Sequence, residues 1–113
     1  MHIDSYSFGR MVIDGQTYQS DLIIYPEKVD ASWWREEGHL LQSRDLRAVF
    51  AAGPEVLIIG TGYSGLLKVP DEVRKELLGR TIELYVEKSN RAVEIFNSIH
   101  TKRRVVAAFH LTC

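Results

Sequence analysis

Gly60-Thr61-Gly62-Tyr63-Ser64-Gly65 follows directly on the apolar run Val56-Leu57-Ile58-Ile59. Three glycines at this spacing let a backbone turn sharply and approach another group closely. Amides bared in such a turn can cradle an anion, and Thr61 and Ser64 add hydroxyl donors. The spacing is also that of a dinucleotide-binding loop. That chemistry needs a helix opening at the glycines, so that its N-terminus meets the pyrophosphate. Here Leu66-Leu67-Lys68-Val69 intervenes, a helix begins only near Pro70, and the chain beyond Gly65 is too short for further βαβ units. Glu87 does sit where a ribose-binding acid would fall, a coincidence that regular alternation of elements readily produces. No Gly-Lys-Ser/Thr occurs, which excludes a Walker loop. Two readings remain. The plainer is a structural turn ending a buried strand. The sharper is a shallow site for an anion or carboxylate, built from Gly60, Thr61, Gly62, Ser64 and Gly65, with Lys68 and Arg91 as cations.

The other candidates for chemistry are weaker. A Cys-His pair can generate a thiolate nucleophile, and His110 and Cys113 lie three residues apart. An extended backbone through Leu111 and Thr112 projects them to opposite faces, however. His2, His39, His100 and His110 are scattered, with no CxxC or HxxxH spacing, so no metal site and no cofactor are expected. No residue is assigned a catalytic role. Trp33-Trp34-Arg35 lies in the least regular stretch, Val29 to Gln42. Two adjacent tryptophans seldom both bury, so one is expected to cap the core. The other, with Arg35, is expected to form a partner surface, because Trp and Arg are enriched at interface hot spots.

Composition narrows the partners. Lys plus Arg number 14 and Asp plus Glu 15, for a net charge of −1. This argues against general attraction to nucleic acid or to an anionic membrane, and Lys102-Arg103-Arg104 reads as a solvated helix end. No apolar window approaches the ~18 residues of a membrane span. The N-terminus has neither a basic nor an apolar signal region. A lone cysteine fits a reducing compartment, and the expected location is the cytoplasm. At 113 residues, with 45% hydrophobic content, the chain is expected to fold as one domain.

The elements that must position these residues are legible from their periodicity. Ile3 to Phe8, Met11 to Ile13 and Leu22 to Tyr25 read as strands, with a hairpin at Asp14-Gly15. Ser43 reads as the N-cap of a helix through Asp45 to Ala52, stopped by Gly53-Pro54. Val56 to Ile59 reads as a strand covered on both faces. Pro70 opens a helix with Val73 and Leu77-Leu78 buried and Gly79 as C-cap. Thr81 to Val86 is a strand with Ile82, Leu84 and Val86 on one face. Ser89 caps a helix that turns Ala92, Ile95, Phe96 and Ile99 inward. Val105 to Leu111 closes the chain as a strand. Strand, helix, strand, helix, strand from residue 56 onward predicts an α/β core, with an antiparallel N-terminal extension.

Several residues taken together resemble one family. They are Tyr6-x-Phe8-Gly9, Trp33-Trp34-Arg35 with Gly38-His39, the strand ending in Gly60-Thr61-Gly62, Ala92 to Asn97, and the ending His110-Leu111-Thr112-Cys113. In order and across essentially the whole chain, they are similar to the Mth-domain family. That family includes the adipogenesis-associated Mth domain-containing protein and mitochondrial complex I assembly factor 3. The resemblance implies a three-layer α/β fold: a mixed central sheet with its last strand antiparallel, plus an N-terminal antiparallel β layer. It implies no catalytic mechanism. It points to a non-enzymatic binding or assembly module with an unknown protein partner. A small-molecule protein or enzyme using the glycine loop is the alternative, and a homodimer through exposed aromatics a further one. Many relatives have Thr where this chain has Ser89, and both residues cap helices well.

Overall fold

The structure is a computed structural model describing residues 1–113. Eight strands and three helices follow in order: β1 (Ile3–Ser7), β2 (Arg10–Ile13), β3 (Gln16–Tyr18), β4 (Leu22–Ile24), β5 (Val29–Asp30), α1 (Arg47–Ala52), β6 (Val56–Thr61), α2 (Asp71–Gly79), β7 (Glu83–Glu87), α3 (Ser89–Ile99) and β8 (Val105–His110). A 3-10 turn over Ser43–Leu46 leads into α1. Strands β1, β2 and β3 form an antiparallel sheet of their own. Its tight turn is the expected Asp14-Gly15 pair, both with positive φ (48° and 80°), the geometry that matches strand twist.

The central sheet has the order β5-β4-β8-β6-β7. The α/β class, the mixed sheet and the separate antiparallel layer are those the resemblance implies. One detail differs. The last strand, β8, is antiparallel only towards β4, and it runs parallel to β6, which is parallel to β7 in turn. The short β4–β5 hairpin supplies the antiparallel side, whereas helical crossovers place β6, β7 and β8 in the same direction.

Alternation along β4, β6 and β8 divides the core in two. Leu22, Ile24, Val56, Ile58, Val105, Ala107 and Phe109 face α3 and the N-terminal sheet. Ile23, Leu57, Ile59, Val106 and Ala108 face Trp33, Leu41, Val49, Val73 and Leu77. All six residues of β6 and all six of β8 are buried, as expected of strands covered on both sides.

Helix ends and faces depart from the sequence reading, beginning with Ser43, which lies inside the 3-10 turn with Gln42 at its N-cap, ahead of an α1 that starts only at Arg47. Leu78 is exposed, so the buried stripe of α2 is Val73 and Leu77 alone. Gly79 is the last helical residue, the cap falls on Arg80, and Thr81 takes the positive φ (61°) that reverses the chain before β7. Ser89 is already helical, with Lys88 at the N-cap, and its hydroxyl is used elsewhere.

Candidate functional site

The carboxyl ends of β6 and β8 lie side by side, Thr61 opposite His110. The glycine loop leaves β6 there and wraps the residues that follow β8. The amide of Tyr63 donates to the Thr112 oxygen at 2.7 Å, and those of Ser64 and Leu66 to the Cys113 oxygen at 3.2 and 3.1 Å. Three of the loop amides that could cradle an anion therefore hold the protein's own backbone. The glycines make this closeness possible. A Cβ on Gly62, whose φ is 107°, would lie 2.4 Å from the Cys113 carbonyl carbon. One on Gly60 would lie 2.5 Å from the Phe109 ring and 2.8 Å from Ser89 Oγ.

Buried Ser89 ties the same ends together. Its hydroxyl donates to the His110 carbonyl at 2.7 Å and accepts from the Gly62 amide at 2.9 Å. Thr61 donates its hydroxyl to the Glu87 carbonyl. Gly65 packs against the Lys88 stem, Lys68 joins the 31–42 segment through its backbone, and Arg91 pairs with Glu94 on the exposed side of α3. Of the proposed loop site, Gly60 to Gly65 come together, whereas the Arg91 guanidinium is engaged on its own helix.

The neighbouring cluster is chemically richer. His110, the last residue of β8, projects to the face of the sheet opposite Phe109 and Leu111. Its Nδ1 lies 2.7 Å from Oδ2 of Asp21, the residue preceding β4. Arg35 Nη2 donates to the same oxygen at 2.8 Å and lies 3.2 Å from Nδ1. The Leu111 amide donates to the other carboxylate oxygen, and the Gly38 carbonyl accepts from Arg35. The guanidinium stacks on the Trp33 ring, 4.5 Å from its centroid, and the His39 ring meets His110 edge-on at 5.6 Å. Burial pushes the Asp21 carboxyl up. Hydrogen bonds from His110, Leu111 and Arg35 outweigh that, and its pKa lies below the ordinary carboxylate range.

Trp33 and Trp34 differ in burial. Trp33 is buried and donates its indole N–H to the Asp45 carbonyl, whereas Trp34 is 76% exposed. Arg35 is a correction: its side chain is only 5% exposed, so it belongs to the buried cluster and not to a surface. Asp21 was missed from the sequence, and His110 was weighed there only as a partner of Cys113 or a metal ligand, not as a partner of Asp21. Both could have been sought by asking which polar residues stand at the ends of the apolar runs Leu22 to Ile24 and Val105 to Phe109. Several large apolar side chains around this end of the sheet are exposed. Phe8, Leu40, Tyr63 and Leu66 are exposed along with Trp34, and the Phe8 and Tyr63 rings meet edge-on at 5.9 Å. The largest surface cavity, about 490 Å³, lies elsewhere, between the β4–β5 turn and α1.

Comparison with known proteins places this arrangement. A conserved hypothetical protein of Pyrococcus horikoshii is similar in structure, with a TM-score of 0.85, 27% identity and complete coverage of both chains. A Bartonella henselae protein described as an outer membrane protein superposes with a TM-score of 0.83 at 26% identity, covering 98% of this chain and 94% of that one. No helix here is long and apolar enough to cross a membrane. A Mth938-like domain from Bordetella pertussis shares the fold, with a TM-score of 0.68 at 22% identity, covering 97% and 85%. Residues 3–110 match the family described as a protein of unknown function (DUF498/DUF598), and the chain belongs to that family, the Mth-domain family its motifs resemble.

Proposed function

We propose that this protein is a cytoplasmic, non-enzymatic binding module that docks on a partner protein, in the manner of an assembly factor. The observation that carries the reading is the distribution of exposed apolar side chains. Six large ones are exposed: Phe8, Trp34, Leu40, Tyr63, Leu66 and Leu78. The first five belong to the β1–β2 turn, the 31–42 segment and the glycine loop. These three segments surround the residues after β8, at one end of the central sheet. Exposed apolar side chains gathered as a rim around a hydrogen-bonded centre mark an interaction surface, and the aromatic ones among them, Phe8, Trp34 and Tyr63, are of types enriched at interfaces. The loop amides, already spent on Thr112 and Cys113, fix the rim's shape.

The test is affinity purification from the native cells, comparing wild type with a Trp34→Ser/Tyr63→Ser double variant. Both side chains are exposed, so the variant should keep its fold by circular dichroism. The reading expects a stoichiometric partner with wild type and its loss by at least about tenfold with the variant, since hot-spot truncations cost ~2 kcal/mol or more. Equal recovery with both proteins would refute it. So would an enzymatic activity abolished by Ser64→Ala.

A further inference from the structure

The cavity of about 490 Å³ opens between the turn that joins β4 to β5 and one flank of α1. Its size is that of a small-molecule site, roughly 300–1,000 Å³. Ala48, Ala51 and Ala52 form the helical wall, and their short side chains leave the space open. Tyr25 lines it and is only 5% exposed, yet its hydroxyl bonds to no other group of the protein. Buried polar groups are ordinarily paired, so this hydroxyl is left for whatever occupies the cavity. Burial, and after it the charge of Asp30, raises the Tyr25 pKa. The hydroxyl therefore stays protonated at neutral pH, able both to donate and to accept. Two carboxylates line the same cavity, Glu27 and Asp30, and neither belongs to any ion pair of the protein. Asp30 uses Oδ1 on the amide and hydroxyl of Ser32, both at 3.1 Å, and leaves Oδ2 free. Lys28 does not neutralise them. Its ammonium lies over the Tyr25 ring, 5.5 Å from the centroid, so this ring already receives a cation.

We propose that this cavity binds a primary ammonium group carried on a short aliphatic chain, as in a free alkylamine or a lysine side chain. Such a group has three N–H donors. The cavity supplies three acceptors for them: the Tyr25 hydroxyl, Oδ2 of Asp30 and the Glu27 carboxylate. Carboxylates without counter-ions attract a cation and repel an anion. The aliphatic chain lies against the alanines and Val29, where it displaces water from apolar surface. The site shares no residue with the glycine loop, the Asp21 cluster or the apolar rim, and it stands or falls independently of docking there.

The experiment is an NMR titration of ¹⁵N-labelled protein at constant ionic strength with n-butylammonium and with a lysine blocked at both ends. The controls are 1-butanol, which has the chain without the charge, and butyrate, which has the opposite charge. The expected result is a saturable one-to-one change, largest at the amides of Lys28, Val29, Ala51 and Ala52, with either amine and with neither control. A response to the blocked lysine alone assigns the site to a side chain of another protein, and one to butylammonium alone to a free amine. Ala51→Leu fills the cavity from an exposed helical position and should abolish the response. Glu27→Gln removes one charge that has no partner in the fold, and should weaken binding about threefold or more. No saturable change with either amine, an equal response to 1-butanol, or undiminished binding in both variants would overturn the proposal.

Discussion

Asp21 accepts hydrogen bonds from a histidine ring, an arginine and a backbone amide, three different residues meeting on one carboxylate. Removing its charge leaves Arg35 buried without a counter-ion. Asp21→Asn should cost about 2–4 kcal/mol at neutral pH by denaturant unfolding, moderated because the carboxylate is itself 19% exposed. The pH dependence has a definite sign. The folded pKa is depressed, so this stabilisation is complete above the unfolded value and is lost as pH falls from there towards the folded pKa. Below about pH 4, wild type should therefore lose stability more steeply than Asp21→Asn, by up to about 1.4 kcal/mol per pH unit. Parallel acid limbs would show that Asp21 is not the group responsible. Gly62→Ala should cost at least about 2 kcal/mol, since the new methyl meets backbone atoms of Cys113 at a strained φ. Asp21 was invisible in the sequence because an aspartate before a strand reads as a turn residue. Its three partners lie 14, 89 and 90 residues away.

At the scale of elements, the sequence patterns that were read correctly were those with one dominant cause. Val56 to Ile59 and Val105 to Phe109 are apolar because both faces are covered. Asp14-Gly15 turns because both residues tolerate positive φ. The patterns misread were those where local and tertiary roles compete. Ser89 has the chemistry of a cap, yet its hydroxyl bridges Gly62 and His110. Ser89→Ala should therefore cost about 1–3 kcal/mol, the penalty for an unpaired buried amide, while α3 keeps its helical signal by circular dichroism. Undiminished stability would mean that the bridge contributes nothing. In α2, Leu77 and Leu78 look equivalent, and only the packed structure separates them. Leu77→Ala should cost about 2–4 kcal/mol and Leu78→Ala less than about 0.5 kcal/mol, as measured by chemical denaturation. Similar costs for both would contradict the register of the helix.

For the whole molecule, the central sheet has two different ends. At one, three separate chain segments present Phe8, Trp34, Leu40, Tyr63 and Leu66 around a core locked by the glycine loop, Ser89 and Asp21. At the other, Leu78 stands beside charged Glu55, Glu83 and Arg103. The fold class was legible because periodicity reports it directly. The convergence of the rim was not, because its members are distributed from residue 8 to residue 66. The most direct measurement is site-specific photo-crosslinking in native cells. A photoreactive amino acid would replace Trp34 or Tyr63 in separate proteins, and Leu78 as the control for an exposed apolar position. A discrete adduct with a different protein from positions 34 and 63, and none from position 78, is the predicted result. No adduct at the rim, equal adducts at all three positions, or only a self-adduct would contradict the assignment of this end as the docking surface for a partner.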